Sequence, residues 1–261
     1  MKQTALKAAT IFAFILVAIA AVALYFQTEE RKKQRAEELY VTSEKLAQEG
    51  DVFEAEKKLD EASKLSPQEP KYKFALGKIF EREGDYTRAE ESFVQASELD
   101  PANADPVYEA GKMAARDRRP DTAAEYFERT TEINPNHLMA LYQLGYQYTL
   151  GQEYESAERT YLKIVSISDE EPEAYKNLGF VYTEMGRFDK AEEMFTKAIE
   201  IRPDYVEVYN DLGNLLMFQG RYAEAVDVFQ DAIEIDPDNE DARKNLRYAD
   251  RMTRPAQPPP E

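Results

Sequence analysis

Across residues 36–239 the same kinds of residue return every 34 positions, with no insertion or deletion. A period of this length means one supersecondary element repeated, each copy burying its apolar face against its neighbours rather than in a single central core. Counting from Ala36 as position 1 gives repeats 36–69, 70–103, 104–137, 138–171, 172–205 and 206–239. Position 20 is alanine in every copy: Ala55, Ala89, Ala123, Ala157, Ala191 and Ala225. Position 24 is always large and apolar: Leu59, Phe93, Phe127, Tyr161, Phe195 and Phe229. Position 32 is Pro67, Pro101, Pro135, Pro203 and Pro237, with Asp169 as the exception. All ten glycines obey the register, five at position 8 and five at position 14 or 15. Positions 4, 7, 8 and 11 share one face of a first helix. Glycine at 8 and alanine at 20 let two helices approach, and the aromatic at 24 is expected to fill the gap beside that contact. Glycine at 14 or 15 ends the first helix by accepting positive φ, and proline at 32 cannot continue the second.

The fifth repeat carries the whole pattern: Tyr175, Leu178-Gly179, Tyr182, Gly186, Ala191, Phe195, Ala198 and Pro203. It resembles the tetratricopeptide (TPR) repeat, and the resemblance extends over residues 36–239. It implies an all-α fold, a TPR α-solenoid in which helical hairpins form a right-handed superhelix. Residues 240–252 read as a C-terminal capping helix with Ala242, Leu246 and Ala249 on its inner stripe, and residues 253–261 as a proline-rich extended tail. The third repeat departs from the pattern. Ala110 and Ala114 replace bulkier residues, Arg118 stands where glycine is usual, and Pro120 replaces an aromatic. It is expected to be thinly packed unless Met113 and Tyr126 fill the space.

Residues 1–35 are different in kind. Residues 8–26 are apolar but for Thr10, flanked by Lys2 and Lys7 before and by Arg31, Lys32, Lys33 and Arg35 after. A helix of that length spans about 28 Å, close to the ~30 Å hydrocarbon core of a bilayer. The segment therefore predicts a single hydrophobic N-terminal helix serving as a transmembrane anchor. Two other readings stay open: a cleaved signal peptide ending at the small-x-small sequence Ala21-Val22-Ala23, and a buried helix. Basic residues on both flanks leave orientation open. With no proline or glycine before Gly50, this helix is free to run on into the first repeat as a stalk.

Composition narrows function. Cysteine is absent and His137 is the only histidine, so thiolate sites and histidine-based cages have little to draw on. His137 is expected on the solvent side of a turn. No metal or cofactor is expected, nor an enzyme, since no nucleophile–base pair, phosphate loop or ligand spacing is visible. The net charge of −18 divides unevenly: residues 36–261 carry 27 Lys/Arg against 49 Asp/Glu. Such a domain repels a phosphate backbone, which argues against nucleic acid.

The resemblance places first helices on the concave face, where positions 2, 5, 9, 12 and 13 form the stripe left over from packing. Lys71, Lys78, Arg82, Lys112 and Arg116 outnumber Glu81 and Asp105 there, with Phe74 and Tyr108 among them. Further along lie Tyr142, Tyr146, Phe180, Asn214 and Phe218. These residues predict a groove that takes a protein or peptide partner, acidic and with an apolar anchor. TPR proteins that clamp C-terminal carboxylates use a lysine and an asparagine one turn apart. Here Phe180 follows Lys176 and Asp211 takes the next asparagine place, so that activity is not expected. The function expected is a membrane-tethered adaptor, with a self-associating scaffold and an exported soluble protein as alternatives.

Overall fold

A computed structural model describes the backbone of residues 2–253 and the side chains of residues 14–253. Thirteen helices, and no strand, occur among the described residues: α1 Lys2–Glu49, α2 Val52–Leu65, α3 Pro70–Glu83, α4 Tyr86–Leu99, α5 Asp105–Arg116, α6 Pro120–Ile133, α7 Leu138–Leu150, α8 Tyr154–Ile167, α9 Pro172–Glu184, α10 Phe188–Ile201, α11 Val206–Phe218, α12 Tyr222–Ile235 and α13 Glu240–Thr253. Each repeat supplies two helices, and the prolines of position 32 fall in the turns that follow the second. The cap is α13, which buries Ala242 and Ala249. The tail beyond Thr253 lies outside the described residues.

The chain divides into two compact units at Arg119 and Pro120, inside the third repeat. In the N-terminal unit α1 packs on α2, α3 on α4, and α4 on α5. In the C-terminal unit α6 through α13 pack in succession. The third repeat is not thinly packed on its first helix: Met113, Ala110 and Ala114 are fully buried, so the long flexible side chain of Met113 occupies the room that the alanines leave.

The contact that recurs is a ring on a glycine. A methyl group placed on Gly179 would lie 2.5 Å from Cε1 of Phe195, and one on Gly213 would lie 2.5 Å from Cε1 of Phe229. Gly77 meets Phe93, and Gly145 meets Tyr161, in the same way at 2.6 and 2.7 Å. The position 24 ring therefore lies over the glycine itself, not beside it, and glycine is required because a β-carbon would collide with a buried ring. The position 20 alanines Ala55, Ala89, Ala157, Ala191 and Ala225 are all fully buried.

Turn chemistry needs a second correction. The left-handed residue is always at position 15: Gly50, Gly84, Gly186 and Gly220, but also Arg118 (φ 58°) and Gln152 (φ 60°). Gly151, at position 14, is right-handed, so its glycine is not what closes that turn. At Gly186 the closure is a Schellman pattern, with Arg187 N–H donating to Tyr182 O at 2.8 Å and Gly186 N–H to Thr183 O at 2.9 Å. His137 also differs from its expected role. It is half-buried and caps α7, its Nδ1 accepting from Ala140 N–H at 3.1 Å.

The apolar N-terminal run is not a separate helix. α1 continues unbroken through Gln27–Arg35 to Glu49, as the absence of helix breakers allows. From Ala36 onward one face of α1 is buried, at Ala36, Leu39, Ser43 and Ala47. Before it, Phe14, Ile15, Leu16, Val17, Ile19, Val22, Leu24, Tyr25 and Phe26 are 50–71% exposed. Among the described residues no helix is long and apolar enough to cross a membrane. The side chains of residues 8–13, the first part of the predicted span, lie outside the described ones.

Two alanine substitutions separate the two jobs of glycine. Gly179→Ala should destabilise the fold by about 1–3 kcal/mol through overpacking against Phe195. A β-carbon on Gly186 would meet nothing within 4 Å. Gly186→Ala should therefore cost only the left-handed backbone, ~1 kcal/mol. Urea titrations of both proteins check the order; a smaller loss for Gly179→Ala would show that the ring shifts freely.

Candidate functional site

The predicted site residues fall into two groups, one on each unit. On the N-terminal unit, a cleft of about 310 Å³ opens between α1 and α3, lined by Tyr40, Lys71, Phe74, Lys78 and Arg82 among others. Aromatic side chains build its walls. Phe74 meets Phe93 edge-on at 5.3 Å, and Lys78 Nζ lies 5.7 and 5.4 Å from the two ring centroids. Lys71 Nζ sits 5.4 Å from both Tyr40 and Tyr72. These are cation–π distances.

The bases of this group are already partnered. Lys71 Nζ donates to Glu37 Oε2 at 2.5 Å, and Arg82 Nη1 donates to the Ala47 carbonyl at 3.0 Å. Lys78 reaches Glu109 at 2.8 Å and Glu81 at 3.1 Å. Lys112 reaches Glu109 at 2.7 Å, and Arg116 reaches Glu81 at 2.8 Å. Both carboxylates are well covered, with side-chain exposures of 14% for Glu81 and 13% for Glu109. The local excess of positive charge read from the stripe is thus largely cancelled. Glu109 escaped the reading because it occupies position 6, outside the five counted positions, yet it turns into the same network. Burial acts to raise the Glu109 carboxyl, and hydrogen bonds from Lys112 and Lys78 outweigh it, so the group titrates below the usual glutamate range. Tyr108 meets the network through Lys112, whose Nζ is 5.6 Å from its ring.

On the C-terminal unit, α9, α10 and α11 enclose a larger cleft of about 510 Å³, lined by Phe180, Thr183, Phe188, Asp211, Asn214 and Phe218 among others. Phe188 and Phe218 pack with centroids 5.2 Å apart, and Phe218 is still 74% exposed. Asn214 Oδ1 accepts from Asn245 Nδ2 of the cap at 3.0 Å, which holds its side chain in place. Tyr146 on α7 is half-exposed but lines neither cleft, and Met139 and Leu150 flank it on the same helix. Tyr142 is tied by its hydroxyl to Glu171 Oε2 at 3.1 Å; burial and that carboxylate hold its phenol above the ordinary range. In the sequence Asp211 reads only as a missing asparagine. Burial pushes its carboxyl up to about 6, against the opposing pull of Lys176 and with a contribution from Glu207. Phe188 occupies the aromatic position that Pro120 takes in the third repeat, outside the counted stripe, and Asn245 gave no sequence signal because it comes from the last helix.

Two family models described as tetratricopeptide repeat match the sequence, one at residues 136–204 and 170–238, the other at residues 45–105. Together they cover more than half of the chain, which belongs to the tetratricopeptide-repeat proteins. No curated protein matches it. Among solved structures, the MamA protein is 25% identical with a TM-score of 0.62, over 66% of this chain and 93% of that one. YrrB, a TPR protein with an unusual peptide-binding site, is 19% identical with a TM-score of 0.63, over 72% and 97%. A tetratricopeptide repeat protein from Parabacteroides merdae is 21% identical with a TM-score of 0.62, over 85% and 95%. These likenesses agree with the stacked hairpins described above.

The charge network yields a pH prediction. Because the folded Glu109 carboxyl titrates low, its stabilisation is complete above the unfolded value of about 4.3 and is lost as pH falls through the folded value. Glu109→Gln should cost about 1–3 kcal/mol at pH 7, by leaving covered charges short of a partner. The stability curves of the two proteins should converge below about pH 4. A gap that stays constant in acid would show that Glu109 acts by shape and not by charge.

Proposed function

We propose that this chain is a membrane-attached scaffold that holds partner proteins by peptide segments, chiefly on the face formed by α7, α9 and α11. The observation that carries the reading is a set of large apolar side chains left open on that face. Met139, Tyr146, Leu150, Phe180 and Phe218 are 46–74% exposed although the opposite side of each helix is packed. Burying such a side chain stabilises a complex by about 1.5–3 kcal/mol, so a contiguous set is a docking surface in waiting. The similarity in fold to YrrB, which has a peptide-binding site, supports the same role. An acidic partner on the N-terminal unit is a weaker proposition, since it would have to displace Glu81 and Glu109 from their bases.

Attachment to a membrane rests on the run through residues 8–26. Its described part, from Phe14 on, exposes apolar side chains all around the helix. Lipid would cover them, and Arg31, Lys32, Lys33 and Arg35 would meet the headgroups.

Three measurements test the proposal. Full-length chain in membranes should stay in the pellet through alkaline carbonate extraction, and release of a chain starting near Leu24 would show a cleaved signal instead. The pair Phe180→Ala and Phe218→Ala, with helical content and melting temperature preserved, should speed partner dissociation by about ten-fold or more. Unchanged dissociation places the partner elsewhere. Concentration-dependent sedimentation of the repeats, lost in the same double variant, would turn the reading toward self-association.

A further inference from the structure

The C-terminal cleft has one feature that an apolar docking surface does not need. Asp211 lies in its wall, and among the described residues its carboxylate makes no hydrogen bond or ion pair. Of the other acids on that face, Glu173 and Glu184 are occupied and, among the described residues, Glu207 is not. Glu173 is held by Arg202 Nη2 at 2.9 Å, and Glu184 accepts from the Tyr154 hydroxyl at 3.2 Å. Lys176, the base nearest in influence to Asp211, has its Nζ over the Tyr205 ring at 5.4 Å. A half-covered carboxylate in a cleft lined by four phenylalanines is costly to keep unmatched, and a cation delivered by a ligand would relieve it. Charge on the rest of the face points the same way. With Glu173 paired to Arg202, its stripe still carries Glu184 and Glu207 against Lys176 alone, so an approaching basic segment is attracted and an acidic one repelled.

We infer that this cleft recognises a peptide segment carrying a lysine or arginine next to an aromatic or leucine side chain, with Asp211 taking the base and Phe180, Phe188 and Phe218 taking the apolar group. The inference rests on the peptide-holding role proposed above and fixes the sign of the partner, opposite to the acidic ligand that the basic residues of the N-terminal unit suggest. Those residues are spent on Glu37, Glu81 and Glu109, whereas Asp211 is not spent. Asn214 extends the recognition. Its Oδ1 is taken by Asn245, and its amide nitrogen remains to donate to a peptide carbonyl.

The probe is a synthetic random heptapeptide library selected on the full chain in detergent, and in parallel on Asp211→Asn and on the double variant Phe180→Ala, Phe218→Ala. The parent should enrich peptides with Lys or Arg within two positions of Phe, Tyr, Trp or Leu. In the best of them, replacing the base by glutamine should weaken binding about ten-fold. On Asp211→Asn that replacement should matter less than two-fold while the apolar preference persists. Should Asp211→Asn fold poorly, the parent alone decides. Carbodiimide should join the peptide lysine to the Asp211 carboxyl as an amide, located by mass spectrometry of the digest. Enrichment of apolar peptides without a base, enrichment of acidic ones, a basic preference that survives Asp211→Asn, or coupling only at Glu184 would each overturn the inference and leave the peptide-holding reading intact. No enrichment of any peptide would overturn both.

Discussion

Four of the six repeats are built on a ring pressed onto a glycine. The aromatic side chain at position 24 of the second helix lies over the glycine at position 8 of the first, so closely that a single carbon would collide with it. The contact draws the two helices of a repeat together and fixes their rotation. It engages one side of the first helix and leaves much of the other side open. The open faces of α7, α9 and α11 follow from that division of labour: side chains there can be large and apolar because they are not needed inside. Function in a repeat protein is written on the remainder of the helix, and here the remainder is rich in phenylalanine, tyrosine and methionine.

Repeats also differ by how they meet the same geometric demand. Position 15 must be left-handed in all six, and four copies use glycine for it. Arg118 and Gln152 accept the conformation at a cost of about 1–2 kcal/mol each, which the surrounding helix contacts offset. They are adjacent repeats, and Arg118 is one residue from the boundary between the two compact units. The relaxed local grammar of the third repeat is thus visible in its turn, whereas its core is closed by Met113.

Much of this was legible in the sequence because a 34-residue register is a strong constraint. The paired helices of each repeat and the alanines of position 20 follow from counting. What counting could not supply is how side chains close on one another. Glu109 lies one place outside the stripe and still neutralises two of its bases. Gly151 looks like a turn glycine, yet the turn is made by Gln152. Asp211 reads as a departure from a known clamp, and its burial beside phenylalanines emerges only when α9, α10 and α11 come together. The apolar stretch of α1 is continuous with the first repeat, so whatever holds residues 14–26 is joined to the array by an unbroken helix.

The central claim is that partners are held on the open face of the first helices. Site-specific photocrosslinking tests it most directly, with benzoylphenylalanine placed at Phe218 on that face and, separately, at Asp231 on the exposed outer side of α12. Full-length protein in the cells that make it should give discrete protein adducts from position 218 that disappear when Phe180 is replaced by alanine, and none from position 231. Adducts from position 231 with none from position 218 would contradict the account.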